Sequence, residues 1–188
     1  MKNFKKFTAF VLALCMLFSL SVAAFAAEAD EHTIYDSAPD EETVVSTEAA
    51  TSGTIQNSGI RWSLDEKGWL TISGSGAMND YEYGNDYPWM DYRDSIQTIV
   101  IGDQITQIGR YAFTGTACST IKFGKNVRSI GAEAFNGCRN LSGDLTLPDS
   151  VQIVGDRAFS GCTGLNGTLT LGSSLQTIGA GAFHYCPF

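Results

Sequence analysis

Apolar positions in the second half of the chain recur in a fixed order, and that order is repeated four times. Each copy begins with an apolar-x-apolar triplet, which predicts a short strand with two side chains on one face. Another apolar residue follows four positions later, and then comes a segment of the form Ile/Val-Gly-x-x-Ala-Phe. These segments begin at Ile108, Ile130, Val154 and Ile178, at spacings of 22, 24 and 24 residues. This regularity predicts a repeat architecture.

A single repeat has too little apolar surface to form a core alone. Stacked repeats bury a continuous core and place equivalent triplets side by side as parallel strands. We expect the glycine of each segment to permit a close approach or a backbone conformation that a Cβ would hinder, and the phenylalanine to fill the coil. The predicted structural positions are Gly109, Gly131, Gly155, Gly179, Phe113, Phe135, Phe159 and Phe183.

The full pattern, L-x-L-P-x-x-V-x-x-I-G-x-x-A-F-x-G-C-x-x-L, resembles the BspA-like (Treponema-pallidum-type) leucine-rich repeat of bacterial secreted and cell-surface proteins. Residues 145–165 match it almost throughout, and the resemblance covers residues 96–188. Some copies depart from it, since Thr116 stands where Cys138 and Cys162 stand in later copies. The resemblance implies a leucine-rich-repeat solenoid, with a parallel β-ladder of short strands joined by short helical or irregular turns. It also implies surface attachment and binding of host or matrix proteins.

Residues 53–95 lack this repeat and predict a small β module. Residues 60–64 and 69–72 alternate apolar and polar positions across a four-residue loop that contains Gly68, which is typical of a hairpin. A similar β module often precedes BspA-like repeats. We expect it to cap the solenoid, because unpaired strand edges invite aggregation. The predicted fold is a repeat solenoid over residues 96–188, with about four repeats and the last incomplete, behind this hairpin cap.

The first 52 residues have a different character. Residues 1–26 combine three lysines, an apolar run and an Ala-Phe-Ala site, which is the order of a cleaved secretory signal peptide. Residues 27–52 contain eight acids and no Lys or Arg, which predicts a disordered acidic linker. Removal of the signal changes the net charge from −8 to −11. The sequence therefore predicts a secreted, extracellular protein with no basic patch for nucleic acid or for a membrane.

Residues 79–94 interleave aromatic rings with acids and allow three interpretations. Flat rings beside carboxylates suit a sugar platform, and clustered oxygens suit calcium, although the spacing does not match a calcium loop. In the third interpretation, Pro88 and Trp89 pack on the first repeat and the acids are only solvated. The candidate sugar platform consists of Tyr81, Tyr83, Tyr87, Trp89 and Tyr92.

No catalytic or metal motif is recognisable, so we predict neither an enzyme nor a cofactor. The two histidines, His32 and His184, lie in no Ser-His or Cys-His arrangement. The cysteines lack the paired spacing of zinc sites. We interpret them as a column of buried thiols, with disulfides as the alternative that secretion permits. They are Cys118, Cys138, Cys162 and Cys186.

Inward side chains of a solenoid are structural, so binding must use the outward ones. We call the outward positions of the triplets and their flanks the ladder face, and they are Thr98, Val100, Thr120, Lys122, Asp144, Thr146, Thr168 and Thr170. The predicted function is an adhesin-like, non-catalytic module that binds an extracellular protein through this face. The alternative is glycan binding by residues 81–92, as a binding module or an accessory part of a glycan-degrading system. We also expect self-association through the open edge of the last repeat.

Overall fold

Short strands separated by tight turns account for nearly all regular structure in the computed structural model, which describes residues 51–83 and 87–188. The predicted signal peptide and residues 27–50 of the predicted linker lie outside the described residues. A 3-10 turn, Met90–Tyr92, is the one helical element in the described ranges. The strands are β1 (Thr51–Thr54), β2 (Arg61–Leu64), β3 (Trp69–Ser73), β4 (Gly76–Ala77), β5 (Thr98–Ile101), β6 (Ile105–Ile108), β7 (Thr120–Lys122), β8 (Ser129–Ile130), β9 (Leu145–Thr146), β10 (Ile153–Val154), β11 (Leu169–Thr170) and β12 (Thr177–Ile178).

Successive coils contribute one strand to each of two parallel ladders. The first ladder contains β3, β5 and β7 and, after an interruption, β9 and β11. The second ladder runs without a break through β4, β6, β8, β10 and β12. Register follows the repeat, since Ile99 pairs with Leu70 on one side and with Ile121 on the other. The predicted leucine-rich-type solenoid is therefore confirmed.

The hairpin of β2 and β3 is the predicted cap, and it is part of the first ladder. β2 pairs antiparallel with β3, while β3 pairs parallel with β5, so the hairpin continues directly into the repeats. β4 similarly pairs with β6 in the second ladder. β1 adds an antiparallel edge strand and begins at Thr51, inside the segment predicted as linker. The hairpin and β4 thus extend the two ladders backwards by one coil, and protection of the sheet edge stays a prediction.

A column of aromatic rings occupies the centre of the coils. The ring centroids of Phe113, Phe135 and Phe159 are 5.2 and 5.1 Å apart, and Phe183 follows at 5.5 Å. Trp89 continues this column, because its ring stacks 5.3 Å from Phe113 and its Nε1 donates to the Ala112 carbonyl at 2.9 Å. The coil before the first predicted repeat therefore uses Trp where the later ones use Phe.

The glycines of the Ile-Gly-x-x-Ala-Phe segments allow neighbouring backbones to touch. A Cβ at Gly131 would lie 2.6 Å from the Arg110 nitrogen, and one at Gly155 would lie 2.5 Å from the Ala132 nitrogen. Neither glycine has a positive φ. Close approach, rather than an unusual backbone conformation, therefore explains the glycine at this position.

The interruption of the first ladder coincides with a change in coil length. Phe113 lies 8 residues before Ile121, whereas Phe135 lies 10 residues before Leu145. Among the described residues, no backbone hydrogen bond joins 120–124 to 144–148. A cavity of about 190 Å³ opens at this place between β7 and β9. The next coil has the same length, since Phe159 also lies 10 residues before Leu169. Strands of these two equal coils are in register, and β9 pairs with β11.

Candidate functional site

The ladder face consists mostly of threonine side chains, with one valine, one lysine and one aspartate. Thr98 pairs with Thr120, Val100 with Lys122, and Thr146 with Thr170, which places these residues in rows across the strands. Six of the eight predicted residues are exposed and Val100 is partly exposed. The eighth, Thr98, is only 8% exposed, so its prediction as a contact residue was wrong.

Thr98 is buried because two larger side chains meet above it. Lys122 Nζ lies 4.2 Å from the centroid of the Trp69 ring. Trp69 is on β3 and Lys122 on β7, so their contact passes over the outer face of β5, which lies between them. Trp69 pairs with Thr98 in the ladder and remains 41% exposed. Trp69 therefore lies on the same outward side of the sheet as the ladder face, although the sequence analysis placed it only in the hairpin.

Carboxylates beside the ladders mostly connect one coil to the next. Asp144 Oδ1 accepts the backbone N–H of Thr168 at 2.7 Å, and Asp156 Oδ1 accepts that of Ala180 at 2.7 Å. The backbone N–H and the side chain of Lys125 hold the pKa of Asp103 below its ordinary value. Hydrogen bonds from Ser173 likewise lower the pKa of Asp149. These acids are therefore structural as well as solvated.

Of the three interpretations of the aromatic segment, the structure agrees with the one in which Trp89 packs on the first repeat and not with an open sugar platform. Trp89, Tyr81 and Tyr87 are buried, and Tyr87 donates its hydroxyl to the Thr114 carbonyl at 3.2 Å. A buried ring face cannot stack on a sugar, so the platform prediction fails for these three residues. Tyr83 and Tyr92 remain exposed, and the Tyr83 ring meets Tyr111 edge-on at 5.7 Å.

The cysteines form a column beside the aromatic rings. The thiols of Cys138, Cys162 and Cys186 donate to the carbonyls of Phe113, Phe135 and Phe159 at 3.2, 3.2 and 3.1 Å. All four cysteines of the described residues are free. A hydrogen bond with the Cys138 thiol, together with burial, raises the pKa of Cys118 far above its ordinary value. Thiols in this state are poor nucleophiles, because the thiolate is the reactive form.

One outward position adopts a positive φ in successive coils. Tyr111, Glu133, Arg157 and Gly181 have φ values of 57°, 55°, 52° and 63°. Only the last is glycine, so three side chains are kept in a conformation that costs about 1–2 kcal/mol each. Tyr111 and Glu133 are joined through a 3.1 Å hydrogen bond from the tyrosine hydroxyl to Oε1.

Within the described ranges, no group of three or more His, Cys, Asp or Glu side chains is arranged to hold a metal ion. His184 stacks on Tyr185 with centroids 3.8 Å apart, whereas His32 lies outside the described residues. No helix in residues 51–83 or 87–188 has the length and apolar character needed to cross a membrane.

The last coil leaves apolar side chains exposed. Leu171 and Ile178 are exposed, whereas the equivalent Leu147 and Val154 in the preceding coil are buried. Phe188 is also exposed and lies edge-on to Phe183. Self-association through this coil stays a prediction.

Two parallel ladders, a central aromatic column and an outward face of short strands define a leucine-rich-repeat solenoid. Residues 89–188 match the family described as BspA type leucine-rich repeat region, in six copies. The chain belongs to this family, as the sequence pattern indicated. The match begins at Trp89, the first ring of the aromatic column, and so includes residues before the predicted start at 96.

Several bacterial proteins of known structure are similar. A leucine-rich repeat protein from Eubacterium ventriosum has 19% identity and a TM-score of 0.34, over 71% of this chain and 63% of that one. The pneumococcal vaccine antigen PcpA has 20% identity and a TM-score of 0.43, over 73% and 48%. A leucine-rich cell surface protein from Faecalibacterium prausnitzii has 22% identity and a TM-score of 0.39, over 71% and 46%. The chain spans about half to two thirds of the length of these relatives. A comparison with curated proteins found no match.

Proposed function

We propose that this chain is a secreted, non-catalytic module that binds a partner protein through the ladder face, in the manner of an adhesin. BspA-type repeat proteins are generally non-enzymatic, and the family suggests a surface or extracellular location. The signal-like order of residues 1–26 supports secretion independently of the family. The hydroxyl-rich ladder face carries one cation and one acid, Lys122 and Asp144, so it suits a protein surface better than nucleic acid.

The observation that carries this proposal is the exposed ring of Trp69 on an otherwise short-chained surface. Tryptophan is enriched among the residues that dominate binding energy at protein interfaces. Thr120 and Thr146 project little beyond the strands and lose little side-chain entropy on contact. A partner can therefore remove the remaining surface of Trp69 from water without ordering many long side chains. Lys122 adds a charge next to the ring and gives the contact an orientation.

Carbohydrate binding by the aromatic rings of residues 81–92 is the weaker candidate. Three of its five rings are buried, and the two that are exposed, Tyr83 and Tyr92, each contact another aromatic residue edge-on or at a tilt. The rings themselves therefore offer no continuous flat surface to a sugar.

The test is a binding screen of the full chain against a panel of purified, immobilised extracellular-matrix proteins. For any protein that binds, we expect Trp69→Ala to weaken the affinity by at least about tenfold, as for a residue at the centre of an interface. Tyr83→Ala is the matched control, because Tyr83 is an exposed aromatic residue outside the ladder face. Circular dichroism confirms that both variants are folded. Equal effects of the two variants, or no binding to any member of the panel, would contradict the proposal.

A further inference from the structure

A cavity of about 690 Å³ lies next to the aromatic segment. Its walls come from three parts of the chain, namely residues 54–56 at the end of β1, residues 79–81 after β4, and residues 87, 88, 90 and 91. None of these residues belongs to the ladder face. Sites for small ligands typically have volumes of about 300–1,000 Å³, so the cavity is large enough for one or two sugar rings.

The part of the cavity wall formed by the described residues offers hydrogen-bond acceptors and has no basic side chain. Asp80 uses Oδ1 to accept the backbone N–H of Arg110 at 2.8 Å, which leaves Oδ2 for another donor. The Nδ2 of Asn79 donates to the Gln56 carbonyl at 2.9 Å, which leaves the Oδ1 of Asn79 as an acceptor for a ligand. Neither Asp80 nor Asp91 takes part in a salt bridge among the described residues. Such a wall repels anions and favours ligands that are rich in hydroxyl or amino donors.

Tyr81 borders the cavity, but its hydroxyl has almost no accessible surface, so a ligand in the cavity does not contact that group. The residue is only 8% exposed, and its hydroxyl has no hydrogen-bond partner among the described residues. A buried hydroxyl without a partner costs free energy, because the group has lost its contact with water and gained nothing in return. Burial also raises the pKa of Tyr81 to about 12, so the hydroxyl remains a donor at any physiological pH.

We propose that this cavity binds a short, non-anionic saccharide. The hydroxyl or amino groups of the sugar donate to Asp80, Asp91 and Asn79, and the C–H face of its ring packs against Pro88 and Met90 at the wall. Polar groups that fix orientation beside a few apolar side chains are the usual composition of such sites. The rings that looked like a sugar platform then have a different role, since Tyr81 and Tyr87 shape the cavity wall.

This site is independent of the ladder face, because the two surfaces share no residue. Failure of protein binding at Trp69 would leave the saccharide site untouched, and the reverse also holds.

The experiment measures binding of three tetrasaccharides to the full chain by calorimetry and saturation-transfer NMR. The probes are a neutral N-acetylglucosamine tetramer, a cationic glucosamine tetramer and an anionic hyaluronan tetramer. We expect at least one of the first two to bind and the third not to bind. A preference for the cationic tetramer that fades with salt identifies ion pairing with the carboxylates, and equal binding identifies hydroxyl donation. Both results support the site. No binding at about 10 mM of either non-anionic probe, or equal binding of hyaluronan, overturns it.

Variants locate the binding in the cavity. The double variant Asp80→Asn, Asp91→Asn should weaken the affinity at least about tenfold, because each change replaces a charged acceptor by a neutral one. Asparagine keeps the acceptor for the Arg110 N–H, so the fold is retained. Asp94→Asn is the control, since Asp94 is exposed and does not line the cavity. Gln56→Trp, which places a large ring at the wall, provides a second variant that leaves the carboxylates intact. Affinity that is unchanged in both cavity variants overturns the proposal.

Discussion

Lys122 Nζ lies 4.2 Å from the centre of the Trp69 ring, although a complete strand separates the two residues in the sheet. The contact connects the hairpin cap to the second repeat across the outer face of β5. It explains the burial of Thr98 and marks the ladder face with an aromatic residue next to a cation. The hairpin therefore contributes a side chain to the outward surface of the repeats in addition to extending the ladder.

A double-mutant cycle should reveal this contact. We expect Trp69→Ala and Lys122→Ala to show a coupling energy of about 0.5–1 kcal/mol in urea unfolding, as for other exposed cation–π pairs. Lys125 is the control, because its ammonium pairs with Asp103 at 3.0 Å instead. Trp69→Ala and Lys125→Ala should be additive within about 0.5 kcal/mol. If the effects of Trp69→Ala and Lys122→Ala are as additive as those of the control pair, the contact between Trp69 and Lys122 is not populated in solution.

Relief of backbone strain should stabilise the protein at Arg157. Arg157 has a φ of 52°, and Gly181 occupies the same position one coil later. We expect Arg157→Gly to raise the free energy of unfolding by about 0.5–1 kcal/mol, because the strain removed exceeds the entropy that glycine adds to the unfolded chain. Arg157→Ala removes the same side chain but keeps the Cβ, so it should give no such gain. The measurement compares the urea midpoints of Arg157→Gly and Arg157→Ala. Equal midpoints for the two variants would refute the strain argument.

Two buried tyrosines with different hydrogen bonding should respond in opposite ways to loss of the hydroxyl. Tyr81→Phe removes an unpaired buried hydroxyl and should raise the free energy of unfolding by about 1 kcal/mol. Tyr87→Phe removes the donor to the Thr114 carbonyl and should lower it by about 1 kcal/mol. Thermal unfolding without added sugar measures both changes. Destabilisation by Tyr81→Phe would show that its hydroxyl has a partner in solution.

Acid should weaken the stacking of the coils through Asp103 and Asp149. Hydrogen bonds from the next coil lower the pKa of both carboxyls in the folded state. Their contribution to stability is therefore complete above the unfolded pKa of about 3.9 and is lost as the pH falls through the lower folded values. Asp149→Asn keeps an acceptor for the Ser173 N–H but cannot titrate. We expect the urea midpoint of this variant to fall less than that of the wild type between about pH 6 and pH 2. Asp94→Asn should behave like the wild type.

The position of a ring in the aromatic column should determine its contribution. Phe135 is buried between Phe113 and Phe159, whereas Phe183 is only partly buried. Phe135→Ala should therefore cost about 3–5 kcal/mol, and Phe183→Ala distinctly less. Urea unfolding of both variants gives the comparison. A similar loss of unfolding free energy in the two variants would mean that another copy of the chain buries the last coil in solution, as the predicted self-association requires.

The repeat positions of the fold were predictable from the sequence because each is required by the stacking of identical coils. Gly131 and Gly155 recur because neighbouring backbones meet there, and Phe113 and Phe135 recur because each ring packs on the next. The packing of Trp89 on the first repeat was one of the sequence-based interpretations, but its place as a coil of the repeat was not recognised, since Pro88-Trp89 replaces the Ala-Phe of the later copies. A single chain contains no second example that would reveal this substitution.

The candidate site was predicted less completely, because burial depends on the register between strands and on neighbouring turns. Alternation along β5 correctly placed Thr98 on the outer side, but it could not show that Trp69 and Lys122 cover it. Alternating rings and acids in residues 79–94 suggested exposure, yet Tyr81 and Tyr87 turn inward to pack on Trp89. Side chains alternate along a strand, so the apolar Leu70 and Ile72 of β3 could have predicted that Trp69 faces outward.

Because β7 and β9 are not paired, we expect the molecule to unfold as two blocks that meet at this gap. In a solenoid, stability is the sum of terms for single coils and for neighbouring pairs, and this pair lacks the bonds of one ladder. Hydrogen bonds of the second ladder and the stacked Phe135 and Phe159 rings still join the blocks. Loss of the coils after the gap would leave Trp69 and Lys122 on an intact block. A chain cut by proteases in its last coils would thus keep the part of its surface with the exposed tryptophan.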